Sequence, residues 1–194
     1  MMGKVMPLND INRRHFVRNT GMGLLTFTVA GIATPLTPQA AHTQGVPFNR
    51  LSPEDAALLA AFADHLLPGA AAAGVAHFVD HQLGVDPQEC LLMCKYFPAI
   101  KAPFENFYRG GLEALRKTVS ADHSKPFEVL NTDQKNAVTD SVWQGTATGW
   151  SGPPPPLFYM MVRGDAVDVV YGTKEGFDRL SVPYMAHIMP AENW

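Results

Sequence analysis

The chain has 194 residues, of which 46% are hydrophobic and 17% charged, and a formal net charge of −3. That composition is ordinary for a globular protein, and the weak negative balance leaves no electrostatic footprint for nucleic acid. No internal repeat is visible along the chain.

The N-terminal run Asn12-Arg13-Arg14-His15-Phe16-Val17-Arg18 sets two adjacent arginines just ahead of a bulky apolar residue. An apolar stretch, Gly21 to Ala33, follows and is diluted by glycine and threonine. Crossing the hydrocarbon core takes about 20 mainly apolar residues, so this stretch reads as the apolar region of an export signal. Arg13, Arg14 and Phe16 are its carriers, in the pattern that the twin-arginine translocase reads. Asn12 stands where serine or threonine is usual, and Val17-Arg18 where Leu-Lys is common. The competing readings are a basic tail and an N-terminal segment that stays as a membrane tether. Small residues at Ala40 and Ala41 mark the expected cleavage point. The chain then divides into a signal over 1–41, a linker over 42–51 and a domain over 52–194. The domain is about 150 residues, the size of a single folding unit.

Ser52-Pro53-Glu54-Asp55 combines an N-cap serine, a proline in the first helical position and acids in the first turn. A helix is therefore expected from here through Leu67, ended by Pro68-Gly69. Val75, Phe78, Val79 and Leu83 are at helical spacing and predict a second helix over 72–83. Asp86-Pro87 repeats the cap-and-proline start and predicts a third, running to Tyr96. Residues 101–121 predict a longer helix, with Gly110-Gly111 as a kink or a loose packing point. Thr132-Asp133-Gln134 opens a helix to Trp143, and Leu157 to Val170 forms the last. Between them Gly149 to Pro156, with four consecutive prolines, reads as a stiff connector. Alternating strands are absent, although Val167 to Tyr171 could pass as one. The expected class is all-α, a compact bundle of about five to six helices.

His77 and His81 are spaced i,i+4, so on a helix they share a face and could ligate a metal. Cys90 and Cys94 repeat that spacing on the expected third helix. The four residues together define one functional alternative, an independent periplasmic metal-binding protein. The two cysteines also fit a disulfide formed in an oxidising compartment, or two buried free thiols. Asp64 and Asp80 read as exposed helix residues. There is no GxGxxG, no P-loop, no GxSxG, no CxxC and no CxxCH, and no local arrangement marks a nucleophile. The sequence thus presents an export signal without a cofactor motif or a catalytic constellation.

Several short motifs in order resemble the gluconate 2-dehydrogenase subunit 3 family. They are the twin arginines, Leu51-Ser52-Pro53, and the run from Ala60 to Pro68 containing Asp64-His65-Leu66-Leu67. Gly69-Ala70, Ala73-Gly74-Val75 and Phe78-Val79-Asp80-His81-Gln82-Leu83 follow. Near the C-terminus come Val170-Tyr171-Gly172-Thr173-Lys174-Glu175-Gly176-Phe177, Leu180 and Pro183-Tyr184-Met185. The chain departs from the family where Pro68 abuts Gly69, and where Tyr-Gly-Thr-Lys replaces Tyr-Gly-Gly-Asn. The resemblance implies a small, non-catalytic subunit of a membrane-associated dehydrogenase of the GMC type, acting on sugars or alcohols. FAD would be held by the large partner subunit and not by this chain, and a cytochrome c subunit could complete the complex. The small subunit would assist folding of the flavoprotein and carry it through the twin-arginine route to the periplasm.

Such a role needs an apolar docking surface, and interfaces favour aromatic residues and methionine. The candidates are Trp143, Trp150, Phe158, Tyr159, Met160, Met161, Tyr171, Phe177, Tyr184, Met185 and Trp194. Phe158 and Met161 are expected in the core. Trp150, Tyr171, Phe177, Tyr184 and Trp194 are the expected partner contacts.

Overall fold

The helix boundaries follow from capping groups that the sequence supplies. A computed structural model describes residues 24–183. The first helix, α1 (Pro38–Thr43), starts where the Thr37 hydroxyl accepts from the Ala40 amide. The second, α2 (Pro53–Leu66), starts at Ser52, whose hydroxyl accepts from the Asp55 amide at 3.0 Å. It ends in a turn held by Asp64, whose Oδ1 accepts from the amides of Gly69 and Ala71. Gly74, at φ 84°, leads into α3 (Val75–Leu83). After an irregular stretch come α4 (Glu105–Asp122) and then α5 (Thr132–Gln144). The reciprocal Asn131–Gln134 capping box opens α5. The connector prolines open α6 (Pro155–Tyr171), and Thr173 caps α7 (Lys174–Arg179). The molecule is all-α in class, a bundle whose described residues include one small hairpin.

That hairpin lies in the stretch expected to be an apolar signal region without strands. Strand β1 (Leu25–Val29) pairs antiparallel with β2 (Ile32–Leu36). Ala30 and Gly31 form the two-residue turn, both at positive φ, a geometry that matches the twist of paired strands. The expected cleavage point, Ala40 or Ala41, falls inside α1, and Ala41 is fully buried. Among the described residues, no helix is long and apolar enough to cross a membrane.

Two further expectations change and one alternative reading falls. The helix predicted from Asp86 to Tyr96 does not form. Asp86 caps a single turn by accepting from the Gln88 amide, and a 3-10 turn spans only Met93–Tyr96. The Leu91 amide donates to the buried Gln82 Oε1 at 2.7 Å, a tertiary bond that takes the chain off the helical path. Val167 to Tyr171 is helical, as the end of α6. Gly110-Gly111 lies within α4 and is a close-packing site, because a Cβ on Gly111 would lie 2.1 Å from the Phe158 ring.

The core lies between α2, α4 and α6. Phe62, Phe127 and Phe158 meet at its centre, with ring centroids 5.5 Å apart for Phe62–Phe127 and 5.9 Å for Phe62–Phe158. A salt bridge from Arg116 to Asp55 joins α4 to α2 at the edge.

Asp80 is not the exposed residue the helical pattern implied. Its side chain is buried, and its carboxylate accepts from three consecutive backbone amides, Asn49, Arg50 and Leu51, at 2.7–3.1 Å. This fixes the chain just ahead of α2 onto α3. Hydrogen bonds to a charged group contribute more than neutral ones, and stranding buried amides carries a desolvation cost. Asp80→Ala is expected to lower unfolding stability by on the order of 3 kcal/mol, and Asp80→Asn by less, as read from urea unfolding midpoints.

Candidate functional site

Polar side chains inside the fold gather in two places. The first is one face of α3. His77 is buried, and its Nε2–H donates to the Val46 carbonyl at 2.9 Å. His81, one turn on and half-buried, donates from Nε2 to the Thr26 carbonyl at 3.1 Å. Phe27 lies between them, its ring 5.2 Å from His81 and 6.4 Å from His77. Phe48 packs on the other side of His77 at 4.5 Å. Burial holds both imidazoles below the usual histidine range, so they are neutral donors to the N-terminal segment.

The metal-site alternative drew on these two residues with Cys90 and Cys94. The structure does not bring the four together. Among the described residues, no group of three or more His, Cys, Asp or Glu is placed to hold a metal. Each histidine already directs one ring nitrogen at a backbone carbonyl. The cysteines lose the helical spacing that suggested pairing, because Cys90 ends a turn and Cys94 lies in a 3-10 segment. Both are buried free thiols. Burial pushes the Cys94 thiol up to about 12, which leaves no thiolate for nucleophilic chemistry.

The second polar cluster is in the core. The Tyr108 hydroxyl donates to Asp165 Oδ2 at 2.6 Å, joining α4 to α6, and neither residue is exposed. Burial raises the Asp165 carboxyl to about 8, against the opposing pull of the Tyr108 hydrogen bond. It also raises the Tyr108 phenol. A raised carboxyl pKa is a common mark of a catalytic acid, but a catalytic acid must reach its substrate. The cleft of about 710 Å³ is lined instead by Leu58, Arg116, Val119, His123 and Phe127 among others. A second, of about 450 Å³, lies around Lys95, Tyr96, Lys101 and Phe104. Neither includes Tyr108 or Asp165, and the pair is a structural tie.

The most conspicuous surface feature is apolar. Met160 and Val167 are exposed on α6, with Gly164 between them. The Met93 thioether lies over Gly164, 3.7 Å from where a Cβ would be. Exposed Leu91 precedes it, and Trp143, 50% exposed, packs on Tyr159 at 5.1 Å. Buried Phe158, Met161, Val162, Asp165, Ala166, Val169 and Val170 occupy the other side of α6. The exposed side of α6 also carries Arg163 and Asp168, so Met160, Gly164 and Val167 form a narrow apolar strip between charged residues.

The expected contact residues that the structure describes are half-buried. Trp150 is half-buried, its ring 5.8 Å from Phe158 and its Nε1–H donating to the Pro153 carbonyl at 2.7 Å, so it closes the core. Tyr171 is half-buried against the core, and Phe177 is half-buried in α7. Tyr184, Met185 and Trp194 lie outside the described residues, as do Arg13, Arg14 and Phe16. Leu91, Met93 and Val167 were not singled out, because the first two were assigned to a helix.

The fold is a small helical domain with two buried polar ties and a narrow exposed apolar strip on α6. The gluconate 2-dehydrogenase subunit 3 family model matches residues 53–187, well over half of the chain. The chain belongs to that family, and is a small accessory subunit, not the catalytic chain. No curated protein and no solved structure matches it.

The Asp165 carboxyl gives a pH signature. Its ordinary value is 3.8 and its value in the fold is about 8. Between these, the folded state holds a proton that the unfolded state has lost, so stability falls as pH rises from about 4 to about 8. Asp165→Asn removes that fall. The variant is expected to gain on wild type by on the order of 1 kcal/mol per pH unit across this window, measured by urea unfolding at pH 5 and pH 8.

Proposed function

We propose that the chain assists folding of a large FAD-dependent dehydrogenase subunit and carries it, already loaded with flavin, through the twin-arginine route to the periplasm. The partner is a GMC-type flavoprotein oxidising sugars or alcohols at the periplasmic face of the inner membrane, with a cytochrome c subunit as a further member. The observation that carries this reading is the exposed strip of Met93, Met160 and Val167 on a family-matched domain whose buried ionisable groups are engaged in structural bonds. Folded export is needed by proteins that load cofactors before they cross. A domain with no cofactor motif has little need of it alone, and the Arg13-Arg14 signal makes sense as one provided for the pair. The flavin and the substrate pocket are then the partner's, and the substrate is set by that chain.

Two experiments test this. Met160→Asp with Val167→Asp places charge on the strip without touching the core. Copurification of the large subunit is expected to fall about tenfold or more, while the melting temperature of the isolated small subunit stays within a few degrees of wild type. Arg13→Lys with Arg14→Lys is expected to leave the partner's dehydrogenase activity in the cytoplasmic fraction; undiminished periplasmic activity in that variant would refute the export role.

A further inference from the structure

The Gly74–His77–His81 face of α3 is covered by the chain's own N-terminal segment, with His81 half-buried at its edge. Gly74 meets the α1 backbone so closely that a Cβ there would lie 2.1 Å from the Pro38 carbonyl oxygen. His77 holds the Val46 carbonyl, and His81 holds the Thr26 carbonyl of β1. Phe27 inserts between the two imidazoles, and His42 of α1 packs edge-on to His77 at 5.8 Å. Phe27, Ala41 and Val46 make a small apolar cluster of their own, with Leu25, Val29 and Leu36 packed against it.

Three observations mark this cover as separable. The buried members of the main core run from Leu51 onward, and Phe27, Ala41 and Val46 form a cluster apart from it, with Leu25 packed against both. The family match begins at residue 53, after the whole covering segment. A two-stranded hairpin has little stability of its own, so β1–β2 depends on what it packs against. The same residues 25–33 are the core of the apolar run that an export signal presents to its translocase. In the fold Phe27 is buried, and the backbone of β1 is paired with β2 and bonded to His81.

We propose that this face of α3 is an intramolecular receptor for the export signal: the domain docks residues 25–46 as a hairpin and helix, withholding the signal's apolar run from the translocase until the segment unhooks. The docked and free states compete for the same residues, since Phe27 cannot lie between His77 and His81 and in the translocase at once. Export of the folded chain then depends on release, and anything that loosens the His81 and Phe27 contacts speeds it. The masking role rests on the export reading above; the docking itself does not.

The test uses the full-length chain, the variant His81→Ala, and a peptide of residues 1–46 as the undocked reference. His81 lies outside the signal and is half-buried, so its loss leaves both the signal and the core intact. Phe27→Ser is a second variant that removes the inserted ring while keeping the run uncharged. By hydrogen exchange, amides in 25–36 are expected to be protected at least about tenfold in the full chain relative to the peptide. In both variants that protection is expected to fall about tenfold while α2, α4 and α6 stay protected. In cells, both variants are expected to appear in the periplasm several-fold faster than wild type. Equal exchange in chain and peptide would overturn docking. Lost protection without faster export would overturn masking. A fusion of residues 1–46 to a reporter separates the two readings: if the reporter stays in the cytoplasm, the export reading and the masking role both fall, whatever the exchange data show.

Discussion

One buried carboxylate organises the rest. Asp80 is removed from water, which for a charge is costly unless the lost hydration is replaced. Three successive amides, Asn49, Arg50 and Leu51, replace it from one direction. The geometry that satisfies all three leaves little choice in how the chain approaches α2. Ser52 is then in place to cap α2, and Leu51 enters the main core. The Arg50 carbonyl, held by the same anchor, accepts from the Arg109 guanidinium at 2.9 Å and ties α4 to the assembly. His77, about one turn before Asp80 along α3, and His81, the next residue, face the N-terminal segment. A single interaction thus sets the lead-in to α2 and the orientation of the face that receives residues 25–46.

The same logic governs the other buried polar groups. Asp64 satisfies the turn between α2 and α3, and Gln82 takes the Leu91 amide. Tyr108 pairs with Asp165 Oδ2 between α4 and α6, while the buried Asp165 Oδ1 has no hydrogen-bond partner. A carboxylate left ionised at Asp165 would face both desolvation and the nearby Asp168 charge, and the protonated form avoids both. These groups fix register more than they add stability, since apolar pairs of similar shape could fill the same volume. They also account for why the polar motifs that resembled a known family carry no chemistry. Asp64, Asp80 and Gln82 bind this chain's own backbone.

What was legible in the sequence was local. Ser52-Pro53, Thr132 with its neighbours Asn131 and Gln134, and the connector prolines each place a helix start through contacts within four residues. The helices they open formed close to where the pattern put them. The failures are all tertiary. Asp86-Pro87 has the grammar of a helix start, yet Gln82 captures the Leu91 amide and Cys90, Leu92 and Cys94 go into the core without helical periodicity. Ala30-Gly31 lacks the Asn-Gly signature of a hairpin turn, and the flanking apolar run reads as a signal because its partner, α3, is some fifty residues away. Asp80 is polar on a helix whose other residues give no hint that both faces are covered. Trp150 is half-buried for a related reason: its position after a glycine turn lets it fold back onto Phe158.

The two surfaces that remain divide the protein's work between different chemistries. The α3 face recognises backbone carbonyls through two imidazole donors and one inserted ring, a geometry suited to a short flexible segment that can come and go. The α6 strip offers methionine, valine and a glycine hollow, flanked by exposed Arg163 and Asp168. Methionine adapts its shape to what it meets, and such a surface gains from burial of area rather than from individual bonds. It suits a large, lasting partner. In the proposed role, the signal and the larger subunit would be held on separate elements. Release of the segment from α3 would then leave a partner bound at α6 undisturbed.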